Sequence, residues 1–214
     1  MKISVCQTGS LRENCYLIED EAAKCAWVVD PGDEPDKIRA MVKERGVIPE
    51  AILITHAHFD HVGAAGELAE VWDCPIRIAQ AEAEDIREGG AFRAGHIKEI
   101  YEHFYAVLQK RGQYAAAGDE EKLGGQRWQV LCVPGHSPAS LCYYNEKDGV
   151  LLSGDTLFHG SVGRTDVYAG SPEDLLRNIR QTLMALPDAT VVLPGHGPAT
   201  TIGRERTENP YLRA

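Results

Sequence analysis

Directly after the apolar run Ala51-Ile52-Leu53-Ile54 the chain reads Thr55-His56-Ala57-His58-Phe59-Asp60-His61, which places four potential metal ligands within six positions. The apolar run has the character of a buried strand, so its end delivers three imidazoles and a carboxylate to the edge of a core. A buried polar group without a partner costs about 1 to 3 kcal/mol, and an unpaired charge costs more. A fold that accepts this segment must therefore either leave the loop exposed as a chance surface cluster or supply something that compensates it. On a turn entering a helix, alternate residues can point to one side, so His56 and His58 could share one ion while Asp60 and His61 reach an adjacent one. Imidazole and carboxylate together suit zinc, manganese or iron.

Three later segments repeat one pattern, a strand, a glycine turn and then a ligand type: Val133-Pro134-Gly135-His136-Ser137, Leu152-Ser153-Gly154-Asp155-Thr156 and Leu193-Pro194-Gly195-His196-Gly197. Glycine lets the backbone turn sharply and the following side chain project from the strand end into a shared cleft. Each segment alone is weak. Joined to the first cluster they provide five His and two Asp, a full set for two metal ions with one carboxylate between them.

The rest of the chain reads as strands and helices in two similar halves. Lys2 to Gln7, Asn14 to Ile18 and Cys25 to Val29 are strand-like, Asp30-Pro31-Gly32 is a turn, and Pro35 to Arg45 is helical. The strand at 51–54 is followed by a helix from Gly63 to Val71 and a short strand at Ile76 to Ile78. From Ala79 to Gly125 the pattern is helical, with Ile97, Ile100, Phe104, Val107 and Leu108 on one face, and Gly118 to Gly125 reads as a solvated loop. Strands return at 127–132, 140–144 and 150–152, then a helix from Pro172 to Leu186, a strand at 190–193 and an irregular tail. Strand clusters on both sides of a helical middle favour an α/β (α+β) arrangement, two sheets packed together with helices outside. No Pro/Ser-rich linker divides residues 1–214, so a single domain is expected.

Composition narrows the function. With 22 Lys and Arg against 32 Asp and Glu, a formal charge of −10, and no basic run, the chain is not built to hold nucleic acid. No apolar stretch reaches the roughly 20 residues needed to span a bilayer, and Met1 to Val5 runs into a strand, so a cytoplasmic protein with no membrane partner is expected. The six cysteines form no C-x-x-C and sit among apolar neighbours, as buried free thiols do. His96 and His103 read as surface residues of the middle helix, and His159 has no assigned role.

The set T-H-x-H-x-D-H, P-G-H-S, G-D-T and P-G-H-G, in this order and spacing, resembles the metallo-β-lactamase superfamily, and within it the short bacterial members of the glyoxalase II (hydroxyacylglutathione hydrolase) group. The resemblance covers essentially the whole chain and implies an αββα sandwich of two mixed sheets with the site at its rim. It implies that His56, His58 and His136 hold one divalent metal ion and that Asp60, His61 and His196 hold a second. Asp155 would bridge the two together with a water or hydroxide. Zinc is the expected metal, with iron or manganese as alternatives. Asp60 and Asp155 are then the carboxylates of the catalytic set, and Asp30 of the early D-P-G turn supports the ligands from behind. The implied reaction is hydrolysis of an S-(2-hydroxyacyl)glutathione thioester such as S-lactoylglutathione. Two cations over two carboxylates and one hydroxide make the cleft locally cationic, which suits a small anionic substrate.

The chain departs from the full-length enzymes of that group in having only a short stretch after His196, so no C-terminal helical glutathione-binding domain is expected. Arg164, in Gly163-Arg164-Thr165-Asp166, matches a basic substrate-binding position, where a guanidinium could pair with a glutathione carboxylate. It could equally form a structural salt bridge with Asp166. The same stretch occurs in persulfide dioxygenases, which hold a single iron. In this chain His56, His136 and Asp155 would be its ligands, an oxidoreductase alternative that leaves Asp60, His61 and His196 unbound.

Overall fold

The computed structural model describes residues 1–88 and 95–213. Strands β1 (Lys2–Thr8), β2 (Glu13–Asp20) and β3 (Cys25–Val29) pair antiparallel, and β4 (Ile48–Leu53), β5 (Ile76–Ile78) and β6 (Gly112–Tyr114) extend the sheet in parallel from β3. The second sheet is made of β7 (Glu120–Leu123), β8 (Gln126–Cys132), β9 (Leu141–Asn145), β10 (Val150–Gly154), β13 (Val191–Pro194) and β14 (Thr200–Thr201). Its spatial order is β14-β13-β10-β9-β8-β7, with only β10 and β13 parallel among these strands. A small hairpin of β11 (Leu157–Phe158) and β12 (Ser161–Val162) stands beside it.

Successive side chains of a strand point to opposite faces, and here both faces of both sheets are covered. Ile18, Trp27, Val29 and Leu53 of the first sheet meet Trp128, Val130, Tyr143 and Leu152 of the second in the inter-sheet core. The alternate residues Leu17, Val28 and Ile52 pack outward against α1 (Pro35–Arg45), α3 (Ala65–Trp72) and α5 (Gly95–Arg111) through Ile38, Leu68 and Phe104. Leu151 and Val192 do the same against α6 (Pro172–Thr182) and α7 (Ile202–Glu208) through Leu175, Ile179 and Ile202. Helix, sheet, sheet and helix form four layers, as expected from the motif set. Burying a Leu or Ile side chain fully contributes about 1.5–3 kcal/mol, which is why β3, covered on both faces, is apolar throughout.

Helix ends follow local chemistry. Pro172 opens α6, and the Ser171 hydroxyl accepts from the Asp174 N–H at 3.3 Å, a cap of about 1 kcal/mol. The helix stops at Thr182 and continues as a 3₁₀ turn over Leu183–Ala185.

Several expectations are corrected. Residues 118–125 are not merely a loop, because Glu120–Leu123 forms edge strand β7 with Leu123 in the inter-sheet core. Charged residues are ordinary on an edge strand, which hides its period from sequence. The tail is not irregular: Thr201 caps α7 by accepting from the Arg204 N–H. The helix expected from Gly63 begins earlier, as α2 (Phe59–Val62), and resumes as α3. The helical middle divides into α4 (Gln80–Glu88), α5 and the strand β6. His103 is half-exposed and lies 4.0 Å from Glu70, whereas the His96 side chain lies outside the described residues. The six cysteines are free, and burial pushes the Cys74 thiol up to about 11 and the Cys142 thiol up to about 12. Such thiols are inert packing groups. No helix of the described residues is long and apolar enough to cross a membrane.

Candidate metal centre

Each candidate ligand follows the C-terminal end of a strand on one rim of the sandwich. His56 and His58 lie after β4, and Asp60 and His61 occupy the short helix α2 that follows. His136 comes after β8, Asp155 directly after β10, and His196 after β13. Backbone bonds stitch these ends together: Leu141 N–H donates to the Thr55 carbonyl at 2.7 Å and Gly195 N–H to the Gly154 carbonyl at 2.9 Å. Gly154 has φ +49°, a conformation that favours glycine, and this turn aims Asp155 into the cleft.

All the candidate ligands converge in two groups. The Nε2 of His56, the Nδ1 of His58 and the Nε2 of His136 form a triangle with edges of 3.0, 3.0 and 3.1 Å. Asp60, His61 and His196 form the second group, with His196 Nε2 3.2 Å from Asp60 Oδ2 and His61 Nε2 3.9 Å from it. Asp155 faces both. Its Oδ1 is 3.4 Å from His61 Nε2, and its Oδ2 lies 3.7 Å from His136 Nε2 and 3.6 Å from His196 Nε2.

Groups behind the imidazoles decide which nitrogen faces the cleft. His136 Nδ1 donates to the Arg164 carbonyl at 2.7 Å, and His196 Nδ1 to the Leu11 carbonyl at 3.2 Å. His61 Nδ1 is 3.0 Å from Asp30 Oδ2. Asp30 also accepts from the Thr55 N–H at 2.7 Å and the Thr55 hydroxyl at 2.6 Å, and this hydroxyl lies 3.1 Å from His56 Nδ1. With each Nδ1 proton engaged behind, the Nε2 lone pairs of His56, His61, His136 and His196 point inward, the arrangement that metal-binding histidines use.

The donor set fits cations on this structure's own terms. His61 Nε2 and Asp155 Oδ1 are buried, 3.4 Å apart, and make no well-formed hydrogen bond among the described residues, a costly condition unless something charged satisfies them. The imidazole triangle would be a knot of repelling lone pairs without a positive centre. Tetrahedral zinc, with bonds of about 2.0–2.1 Å, sets nitrogens about 3.3 Å apart, close to the separations observed. Protonation states agree for the imidazole triangle. Burial, reinforced by neighbouring imidazoles, holds His56 well below the ordinary histidine range and brings His58 down to about 4. Burial also lowers His136, despite the opposing pull of Asp155. Neutral imidazole is the form that ligates. Burial works against the charge on Asp155, but His61, His196 and His136 outweigh it and hold its carboxyl well below the usual range. Burial opposes the charge of His61 and His196 too, yet Asp155 with Asp30 raises the first and Asp60 with Asp155 raises the second.

The cleft beside these groups has a volume of about 420 Å³ and is walled by Leu11, Phe59, Phe158, Val162 and Val167. Arg164 lines it too. Its guanidinium makes a two-pronged pair with Asp166 at 2.8 and 3.0 Å, with both side chains largely exposed. Both roles considered for Arg164 are thus compatible with its position, since an exposed pair of this kind contributes little to stability and is free to exchange partners.

Asn14 was not legible as a site residue. Its side-chain N–H groups donate to the carbonyls of Pro194 and Gly197, each at 2.9 Å, and its backbone N–H donates to Gly195 at 2.7 Å. It anchors the loop that carries His196 from the far end of the chain. Replacing Asn14 by Ala is expected to destabilise the protein by about 1 kcal/mol, because the Gly197 carbonyl loses its side-chain donor and the buried Pro194 carbonyl keeps only the Tyr16 hydroxyl. Urea unfolding measures this, and an unchanged midpoint would refute the anchoring role.

Comparison with known proteins agrees with this geometry. The sequence profile of the metallo-beta-lactamase superfamily matches residues 8–196. A probable metallo-hydrolase, YqgX, of Bacillus subtilis is 40% identical over 206 residues, covering 95% of this chain and 94% of its own length. A hydroxyacylglutathione hydrolase, GloC, of Haemophilus influenzae is 32% identical, covering 100% and 99%. Among solved structures, BLEG-1 B3 metallo-beta-lactamase superposes with a TM-score of 0.83 at 30% identity over the whole of both chains. TTHA1623 in a di-iron-bound form gives 0.79 at 36% identity, covering 98% of this chain and 100% of its own.

Proposed function

Because the chain belongs to the metallo-β-lactamase superfamily, we propose that it is a binuclear metallohydrolase that cleaves S-(2-hydroxyacyl)glutathione thioesters, with S-lactoylglutathione as the representative substrate. The observation that carries this reading is Asp155, whose two carboxylate oxygens face the two ligand groups from between them. His56, His58 and His136 would hold one ion, Asp60, His61 and His196 the other, and Asp155 both, with zinc the natural fit to imidazole and carboxylate and iron or manganese the alternatives. When bound, two such ions supply Lewis-acid polarisation of a carbonyl and a hydroxide available at neutral pH.

The chain's own residues do the rest. Asp30 and Thr55 fix the orientation of His56 and His61, so that the inward nitrogens need no reorganisation during the reaction. Phe59, Phe158 and Val162 keep bulk water from the reacting carbonyl and receive the acyl portion. Arg164 exchanges Asp166 for a carboxylate of the glutathione arm. A thiolate leaves without needing a proton, so no dedicated general acid is called for. The hydrolase relative of similar length supports this substrate class.

The dioxygenase alternative uses only His56, His136 and Asp155. It leaves Asp60, His61 and His196 without a role, although they lie together and His61 Nε2 is buried with no well-formed hydrogen bond among the described residues. A paired assay separates the readings. Metal-loaded protein should hydrolyse S-lactoylglutathione and consume no oxygen with glutathione persulfide. Oxygen consumption without thioester cleavage would overturn the proposal.

A further inference from the structure

Glu82 of α4 is a carboxylate with 1% of its surface exposed, and neither the ligand set nor the reaction above uses it. Its Oε2 accepts from the Ala57 N–H at 2.9 Å. Its Oε1 accepts from the Ser137 hydroxyl at 2.6 Å and from the Ala139 N–H at 2.7 Å. Ala57 stands between His56 and His58, and Ser137 follows His136. A single side chain therefore ties together the two loops that carry the imidazole triangle. None of these bonds reaches Asp60, His61 or His196.

Burying a carboxylate is unfavourable, and desolvation does raise the Glu82 carboxyl above its ordinary range, against the opposing pull of the hydroxyl and the two N–H donors. A leucine or methionine would avoid that desolvation but would leave the Ala57 and Ala139 N–H groups and the Ser137 hydroxyl without this acceptor. What a carboxylate adds is two acceptor oxygens at fixed separation, one for each loop. The edges of the triangle that join His136 to His56 and His58 cross from one loop to the other. Their lengths therefore depend on how far apart the loops are held.

We propose that Glu82 is a positioning residue for the three-imidazole ion: by accepting from both loops at once it sets the separation of His136 from His56 and His58, and with it the affinity of that ion position alone. This rests on the two-ion reading above. Glutamine has one oxygen and one NH₂, so in Glu82→Gln one loop must meet a donor with a donor, and the loops lose their common reference. The expected loss is about 10–100-fold in affinity, the usual effect of removing a group that orients metal ligands.

The test titrates metal-free full-length protein with Co²⁺ alone and follows its visible absorption. Wild type should show two binding steps, and His136→Ala identifies which belongs to the imidazole triangle. Glu82→Gln should weaken that step and leave the other unchanged. Ser137→Ala, which removes one of the bonds to Glu82, should weaken the same step by less, and it carries the comparison if Glu82→Gln does not fold. Equal weakening of both steps, in parallel with a fall in the unfolding temperature, would show a merely structural role and overturn the proposal, as would two unchanged steps. A wild type that binds only one Co²⁺ would instead sink the two-ion reading. The role of Glu82 would then be decided by whether these variants weaken that one ion.

Discussion

Asp155→Ala is expected to lower kcat/KM for S-lactoylglutathione by about 10³-fold or more, the scale associated with losing a preorganised electrostatic group at the reacting centre. Asp155 is the carboxylate that stands between the two ligand groups, through Oδ1 toward His61 and Oδ2 toward His136 and His196. Without it the remaining donors on that side are uncharged imidazoles and the single carboxylate of Asp60. The charge that balances two divalent ions is halved, and nothing fixes their separation. Asp155→Asn should fare little better, because it keeps the shape but turns an NH₂ toward an inward-facing imidazole nitrogen or an ion. Steady-state kinetics alongside metal content checks both variants. Retention of activity within about tenfold of wild type would mean that this carboxylate does not lie at the reacting centre.

Gly195→Ala, which changes no charge, is expected to cost about 10²-fold in activity, since displacing a reacting group by about 1 Å has that effect. A Cβ at position 195 would collide with Asp155 Oδ1 and lie 2.7 Å from His61 Cε1. Neither neighbour can yield freely. His61 is fully buried and held by Asp30, and Asp155 is fixed by the Gly154 turn. The backbone of Gly195 cannot retreat without breaking its bonds to Gly154 and Asn14. Gly125→Ala is the matching control, because a Cβ there meets only Asp20 Oδ2 at 3.9 Å, and it should behave as wild type. Similar kinetics for the two variants would show that the approach of Gly195 to the ligands is not needed.

The candidate ligands were legible in the sequence because each stands at a strand end, just after a glycine turn or within the dense His/Asp run, so local spacing alone marks them. Asp30 was legible only through the family resemblance of its D-P-G turn, since the residues themselves mark no more than a turn. The residues that steer them were not. Asn14 meets the His196 loop across 180 positions, and Glu82 meets Ser137 across 55; no local period reports such contacts. The carbonyls of Leu11 and Arg164, which orient His196 and His136, belong to the backbone and leave no mark in residue type. The fold shows the same division. Strands covered on both faces, such as β3, announce themselves by apolar runs, whereas the charged edge strand β7 is specified by its pairing with β8 and the polar helix α7 is tied down by buried Glu205, which accepts from the Gly160 N–H 45 positions away.

The central claim is that two ligand groups sharing Asp155 hold two ions. Elemental analysis of protein loaded with divalent metal and freed of excess tests it most directly. The account predicts about two ions per chain, falling to one in His196→Ala and to one in His58→Ala. One ion per chain in the wild type, unchanged by His196→Ala, would contradict it.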